Sequence, residues 1–219
     1  MKKLVSLALA AVLAVSAVGC GSSSDSSSST ADSAQSTEAA ADGATFKIGG
    51  IGPITGGAAI YGQAVMNAAQ MAVDKINADG GINGYQVEFR FEDDEHDAEK
   101  SVNAYNTLKD WGMQMLMGTV TSTPCTAVSA KTEEDNMFQL TPSGSAVESI
   151  APANAFRVCF SDPNQGTASA QYIGENKLAS KVAVIYNSSD VYSSGIYQTF
   201  ATEAANQGFE IVAAEAFTE

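Results

Sequence analysis

The sequence predicts an α/β protein built from parallel sheets with helices on both faces. From residue 44 onward, short apolar runs alternate with longer segments of helical periodicity. This alternation indicates strand–helix–strand units, because parallel strands need a crossover connection. The turns that follow the strands are rich in glycine or hydroxyl residues, at the sheet edge where open α/β folds bind ligands. These turns are residues 52–57, 119–123, 142–145 and 187–194.

Seven strands and five helices are expected. The predicted strands are residues 46–51, 87–91, 113–118, 137–141, 155–160, 182–186 and 210–216. The predicted helices are residues 62–78, 97–110, 124–136, 166–176 and 194–207.

Local signals support these boundaries. In the first helix Val65, Ala69 and Val73 share one face at helical spacing, and the following glycine pair, residues 80–81, ends it. Alternating apolar residues mark the second strand. Asp97 is the expected N-cap of the second helix, and Pro124 suits the start of the third, where a missing N–H costs nothing.

The first twenty residues are predicted to be a targeting signal outside the fold. Met1–Lys3 is basic, and residues 4–18 form an apolar run too short to span a membrane comfortably. The small residues before Cys20 indicate a lipoprotein cleavage site, with Cys20 lipidated as the mature N-terminus. Ala17 departs from the leucine usual there, and an ordinary secretory signal with an incidental cysteine is the alternative.

The chain is expected to divide into four regions. After the signal, residues 21–43 are almost entirely small or polar, which predicts a disordered tether. Residues 44–160 form a first lobe and residues 161–219 the start of a second. The sequence ends after a strand with no covering helix, which predicts a fragment or a truncated reading frame.

The net charge and the cysteines limit the classes of function that the sequence allows. A net charge of -14 argues against nucleic-acid binding, which needs a basic patch. Besides Cys20 there are two cysteines, Cys125 and Cys159. They could pair in an oxidising compartment or lie unpaired beside strands, and the sequence leaves both possibilities open.

Two hydroxyl clusters predict a site for a carboxylate. Residues 121–123 and residues 143–145 each follow a strand, the first of them at the start of a helix. The N–H groups of a first helical turn have no partner within the helix and carry the positive end of the dipole. Together with the hydroxyls they can hold an anionic group without an arginine. Simple capping of helices is the alternative.

The remaining motifs give weaker evidence for a cofactor, metal or catalytic site. Residues 50–55 partly resemble a dinucleotide fingerprint, but the third glycine is absent. The acidic run of residues 92–97 has no regular ligand spacing, so a solvated cleft rim is expected in place of a metal site. His96 is the only histidine, and no serine or cysteine lies in a nucleophile-elbow context. We therefore expect neither an enzyme nor a cofactor.

Several motifs together resemble the type I periplasmic binding proteins, in the leucine/isoleucine/valine-binding branch that serves ABC importers. The motifs that carry the resemblance are residues 48–56, 61–62, 76–84, 92–94, Gly118 with residues 121–122, residues 141–143, and Arg157. The resemblance implies two Rossmann-like lobes that close on a ligand by hinge motion, with the second lobe incomplete here.

The resemblance also implies a set of ligand-binding residues. They are Tyr61, Val120, Thr121, Ser122, Ser143, Gly144, Ser145 and Tyr192. Some amino-acid-binding members join the positions of His96 and Thr121 by a disulfide, which this chain cannot form. The acidic partner of the ligand's ammonium group in this family lies beyond the residues present.

The function implied by the resemblance is capture of an amino acid, with branched-chain amino acids favoured, for an ABC importer permease. The location implied is extracytoplasmic, anchored to the membrane by the lipid. The extracellular sensing domain of a signalling receptor is the alternative, since it uses the same fold. The identity of the ligand is not readable from the sequence.

Overall fold

The computed structural model describes Gly43 and residues 45–218. The predicted signal peptide, Cys20 and nearly all of the predicted tether lie outside these residues. Within residues 45–218, none of the helices combines the length and apolar character needed to cross a membrane.

Strands and helices alternate along the whole described chain. The strands are β1 (Thr45–Gly52), β2 (Gln86–Asp93), β3 (Met115–Gly118), β4 (Gln139–Thr141), β5 (Ala155–Arg157), β6 (Lys181–Asn187) and β7 (Glu210–Phe217). The helices are α1 (Ala59–Ala78), α2 (Ala98–Trp111), α3 (Ser122–Glu134), α4 (Asp162–Glu175) and α5 (Val191–Gln207), with a short 3-10 helix at Val147–Ile150.

The strands form two parallel sheets, which confirms the predicted fold class. The larger sheet has the order β2-β1-β3-β4-β5, and β6 pairs with β7. From β1 the chain moves to one side to reach β2, and it then returns past β1 to β3. Right-handed crossovers therefore place α1 on one face of the sheet and α2 and α3 on the other. The switch point lies at the carboxyl ends of β1 and β3, where this topology opens a crevice.

Four helices begin earlier than predicted, and for two of them, α4 and α5, the capping residue lies in the preceding loop. The Asp97 carboxylate accepts a hydrogen bond from the backbone N–H of Lys100, which confirms that N-cap. Ser161 caps α4, so α4 begins four residues before the predicted start. Asp190 caps α5 by accepting from two backbone N–H groups of its first turn. α1 begins at Ala59, three residues early, and α3 begins at Ser122, two residues early, both without a side-chain cap among the described residues.

The main core lies between the larger sheet and helices α2 and α3. Its buried members are Ile51, Ala104, Tyr105, Leu108, Met113, Leu116 and Val128. Tyr105 is fully buried, and its hydroxyl donates to the Asp135 carboxylate at 2.8 Å. Ile51 and Leu116 lie on neighbouring strands just before the crevice, so the core holds the strand ends from which the cleft loops begin.

A second core joins α4 and α5 to β6 and β7. Ala170, Phe200, Ala204 and Phe209 are its buried members. Gly166 permits the close contact of the two helices, since a side-chain carbon there would overlap Thr199 and the backbone of α5. The start of α5, which reaches the cleft, is thereby fixed against α4.

Gly62 fixes the start of α1 against the loop that follows β1. It is buried, and a Cβ at this position would overlap the carbonyl group of Pro53. The obstacle is backbone, which cannot rotate away as a side-chain end could.

We expect Gly62→Ala to lower the free energy of unfolding by about 1–3 kcal/mol, because the helix must shift from the loop. Gly57→Ala is the matched control: it lies in the same segment, has no described atom within 4 Å of a new Cβ, and should change stability little. Urea denaturation of both variants measures the difference. Equal effects would show that the Pro53 contact does not constrain α1.

Candidate functional site

A cleft of about 400 Å³ opens at the carboxyl ends of the larger sheet and reaches the first turn of α5. Seven of the eight binding residues implied by the sequence line it: Tyr61, Val120, Thr121, Ser122, Ser143, Ser145 and Tyr192. Five further residues line it that were not named as binding residues: Ala58, His96, Cys159, Phe160 and Asp190.

Gly144, the eighth implied residue, lies beneath the cleft. Its N–H donates to the Thr141 hydroxyl at 2.7 Å, and a Cβ there would crowd Thr141 and the Cys125 sulfur. The tight turn that this glycine permits brings its two serine neighbours to the cleft surface.

Ser122 connects the two hydroxyl clusters. Its side-chain oxygen accepts hydrogen bonds from the backbone N–H groups of Ser145 (3.1 Å) and Ala146 (3.2 Å). The second cluster therefore differs from the expected free cradle, because these N–H groups are already paired and only a short 3-10 helix follows. Of the two hydroxyl clusters, only the first, residues 121–123, lies at the N-terminus of an α-helix, which is α3.

The loop after β4 is also held through its carbonyl groups. Arg157 donates to the carbonyl oxygens of Ser145 (2.7 Å) and Ala146 (3.1 Å). The Ser143 hydroxyl donates to the carbonyl of Val120 at 2.6 Å. Since its single hydrogen is used in this bond, the Ser143 oxygen can offer only lone pairs to the cleft.

His96 and Thr121 form a pair on the wall of the cleft. The His96 Nδ1 lies 2.9 Å from the Thr121 Oγ1. These are the two positions at which some related proteins are expected to carry a disulfide. In this chain a hydrogen bond links the same two loops.

The acidic segment before α2 forms an ordered turn, in which Asp94 alone is buried and so departs from the expected solvated rim. Asp93 accepts from the backbone N–H groups of Ile54 (2.9 Å) and Glu95 (3.0 Å). Asp94 is completely buried, and its Oδ1 accepts from the N–H of His96 at 2.9 Å. Within the described residues, no cluster of three or more histidine, cysteine or acidic side chains could hold a metal ion.

Burial raises the pKa of Asp94 to about 6, since desolvation disfavours the charged carboxylate. The Asp94 Oδ2 has no hydrogen-bond partner among the described residues. The N–H of His96 and the His96 ring oppose the shift, and the neighbouring carboxylates of Asp93 and Asp97 reinforce it.

The far wall comes from the segment after β5 and from the first turn of α5. Tyr192 lies inside that turn, and Tyr61 inside the first turn of α1, so neither precedes its helix as predicted. Asp190 accepts from the Thr123 hydroxyl at 3.0 Å, which links the start of α5 to the start of α3. Gln165 donates to the Tyr192 hydroxyl at 3.3 Å.

Both cysteines of the described chain are free thiols. Cys125 is buried beneath the cleft, and Cys159 lines it. Burial raises the pKa of both thiols, which keeps them protonated and weakly nucleophilic at neutral pH.

The sequence contained little to indicate that the further lining residues would reach the cleft. His96 and Asp190 are polar residues in loops, and their approach to the cleft depends on turns without periodicity. Phe160 was assigned to a strand that in fact ends at Arg157. The single usable signal was that a solitary histidine follows a strand at the ligand-binding edge.

An α/β sheet that opens at its switch point into a cleft of hydroxyl and aromatic side chains defines a small-molecule-binding fold. Residues 45–219 match the family described as periplasmic binding protein. The chain therefore belongs to the periplasmic binding protein family, and the predicted resemblance to its leucine/isoleucine/valine-binding branch is confirmed.

Individual relatives agree with this assignment. The Leu/Ile/Val-binding protein homolog 3 of Brucella melitensis is 34% identical over 172 residues, covering 78% of this chain and 46% of the relative. BraC3 of Rhizobium johnstonii, a Leu/Ile/Val-binding protein, is 33% identical over 177 residues, covering 80% and 48%. The structure of LivJ from Streptococcus pneumoniae, a branched-chain amino acid transporter substrate binding protein in complex with isoleucine, superposes with a TM-score of 0.74 at 30% identity, covering 80% of this chain and 50% of LivJ. The chain spans about half the length of these relatives.

The buried Asp94 carboxyl predicts a defined pH dependence of stability. Between about pH 4 and pH 6 the folded protein retains a proton that the unfolded chain loses, so the free energy of unfolding falls as pH rises through this window. Asp94→Asn should remove this fall. The variant should gain on the order of 2 kcal/mol relative to wild type between pH 4 and pH 7.

Urea denaturation of both proteins at several pH values measures this difference. Carboxyl groups distant from Asp94 titrate equally in the two proteins, so the difference reports Asp94 together with its coupling to Asp93 and Asp97. A difference between variant and wild type that stays constant with pH would contradict the prediction.

Proposed function

We propose that this protein is an extracytoplasmic substrate-binding protein of an ABC importer and that its cleft captures an amino acid, in the first instance a branched-chain one. The observation that carries the proposal is the distribution of chemistry in the cleft. A helix N-terminus with hydroxyls lies on one side, a lone-pair acceptor lies nearby, and aromatic and aliphatic side chains form the wall.

The start of α3 suits the carboxylate of the ligand. The Thr121 N-cap is uncharged, and within the described chain its side chain makes no capping bond to the helix. The positive end of the α3 dipole therefore stays available to an anion, as do the hydroxyls beside it. Val120, Thr121 and Ser122 would surround the carboxylate.

The loop after β4 suits the ammonium group. Ser143 offers lone pairs because its hydrogen is donated to Val120. Ser145 also lines the cleft on this loop. An ammonium group carries three donors and no acceptor, so it complements oxygen atoms that can only accept.

The apolar part of the cleft suits an aliphatic side chain. Tyr61, Phe160 and Tyr192 present aromatic surfaces, and Ala58 and Val120 present aliphatic ones. The names of the relatives support the same ligand class, since they describe proteins that bind leucine, isoleucine and valine.

A thermal-shift screen tests the proposal directly. The protein encoded by the complete gene, without residues 1–21, would be screened against the twenty amino acids. A ligand at about one hundred times its Kd should add roughly 2.7 kcal/mol to the free energy of unfolding. Stabilisation by one chemical group of amino acids is expected. A cooperatively folded protein that responds to none would contradict the proposed ligand class.

Two tyrosine variants localise the binding. Tyr61 in the cleft and Tyr172 on α4 are almost equally exposed, at 64% and 63%. Tyr61→Ala should weaken binding about tenfold, the effect of losing roughly 1.4 kcal/mol of aromatic contact. Tyr172→Ala should leave the Kd unchanged. Calorimetric titration of both gives the comparison, and equal losses would argue against this cleft as the binding site.

The proposed location includes a lipid anchor at Cys20. The mature protein should carry a lipid-modified N-terminal cysteine, detectable by mass spectrometry of its first peptide. Cys20→Ala should release the protein from the membrane fraction, because the proposed anchor is the lipid carried by this cysteine. Retention of the variant in the membrane fraction would contradict the lipid anchor.

A further inference from the structure

His96 is held towards Thr121 by the turn between β2 and α2. Glu95 and His96 both adopt left-handed backbone conformations, with φ of 49° and 64°. Such conformations are unfavourable for residues other than glycine and persist where the surroundings impose them. Here the backbone N–H of each residue is bonded to an aspartate, Glu95 to Asp93 and His96 to Asp94.

The buried Asp94 is part of the same arrangement. Its backbone carbonyl accepts from the N–H of Asp97 at 2.8 Å, and its side chain accepts from the N–H of His96. The turn therefore has bonds at both ends. Because the turn is held in this way, the imidazole ring of His96 reaches the cleft wall, with Nδ1 at 2.9 Å from the Thr121 hydroxyl oxygen.

The direction of the hydrogen bond between these two side chains decides what Thr121 can offer a ligand. A threonine hydroxyl has one hydrogen and two lone pairs. If Nδ1 accepts, the threonine hydrogen is used on His96. If Nδ1 carries the hydrogen, His96 donates, and the threonine hydrogen is free to point into the cleft.

When an anion is present, the surroundings favour the arrangement in which His96 Nδ1 carries the hydrogen and donates to Thr121. Within the described residues, the Thr121 side chain caps no α3 backbone N–H, so its lone pairs are open to His96. The α3 N-terminus beside it attracts negative charge, and a hydroxyl hydrogen directed there gains a charge-assisted bond.

On the basis of the proposed function, we propose that His96 is a positioning residue that donates its Nδ1–H to a lone pair of the Thr121 hydroxyl and so orients the hydroxyl hydrogen towards the ligand carboxylate. His96 thereby contributes to the preference for a free carboxylate over a neutral group at this end of the ligand. Thr121 touches the ligand, and His96 acts through it.

Paired ligands that differ at one end test this role. L-leucine and L-leucinamide have the same side chain and ammonium group and differ in the carboxylate. 4-Methylpentanoate keeps the carboxylate and lacks the ammonium group. His96→Ala should weaken L-leucine binding roughly tenfold, because the Thr121 hydroxyl keeps its hydrogen but loses the donor that orients this hydrogen towards the carboxylate. The affinity for L-leucinamide should fall by less than threefold. The Kd for L-leucinamide divided by the Kd for L-leucine should therefore be smaller in the variant than in wild type.

His96→Asn is the matched control, because its side-chain amide can donate to Thr121 from near the Nδ1 position. It should restore much of the preference for L-leucine over L-leucinamide. Thr121→Val should remove the preference by itself, and adding His96→Ala to it should cause little further change. In the His96→Ala variant, the binding of 4-methylpentanoate should weaken by about the same factor as the binding of L-leucine.

Three results would overturn the role of His96: unchanged L-leucine binding in His96→Ala, equal losses for L-leucine and L-leucinamide, or additive effects of the two substitutions. A merely structural role of His96 would weaken all ligands alike. If wild type binds L-leucine and His96→Ala is indistinguishable from it, the inference fails and the proposed function stands. If wild type binds none of the ligands, both fail.

Discussion

The hydroxyl of Ser122 accepts backbone hydrogen bonds from Ser145 and Ala146, and the geometry of the cleft depends on this junction. Arg157 holds the carbonyl groups of the same two residues, so the loop after β4 is fixed through both its donors and its acceptors. The N–H of Asp162 also donates to the Ser145 carbonyl at 3.0 Å. The constraint thus extends from α3 through the loop to the first residue of α4. An oxygen that accepts from two buried N–H groups cannot be removed without leaving both unpaired, which is costly in a low-dielectric interior.

With the loops fixed, the hydrogen-bond polarity that Ser143 and Thr121 present to the cleft is determined by their protein partners. Ser143 gives its hydrogen to Val120, which leaves an acceptor facing the cleft. Thr121 pairs with His96, which can leave a donor. A cleft with an acceptor on one loop and a donor on the other complements a zwitterion in one orientation. The preorganised polarity is therefore a consequence of contacts within the cleft wall, as in other sites where supporting groups orient those that bind.

The sequence was sufficient for the fold and for the hydroxyl part of the cleft. Periodicity located every strand and helix, and the rule that ligands bind where parallel strands end pointed to the loops of Thr121 and Ser143. It was insufficient where position depends on an irregular backbone. His96 reaches the cleft through two left-handed residues held by buried aspartates, and no periodic pattern encodes this. Asp94 was taken for a solvated acid, because burial of one carboxyl in an acidic run follows from tertiary contacts alone. That the predicted residues bind a ligand stays a prediction.

In the part of the chain that the structure describes, three helices begin at the cleft, and the capping residues of two of them, α3 and α5, differ in charge. α5 is capped by Asp190, whose carboxylate accepts from the N–H groups of Tyr192 and Ser193 and from the Thr123 hydroxyl. Its negative charge offsets the positive end of the α5 dipole, and its bonds leave it poorly placed to take an ammonium group as well. α3 is capped by the neutral Thr121, so its dipole is not offset by a capping charge. In the proposed function an anionic group is therefore drawn to α3 in preference to α5, and the bond between Thr123 and Asp190 keeps these two helix starts side by side.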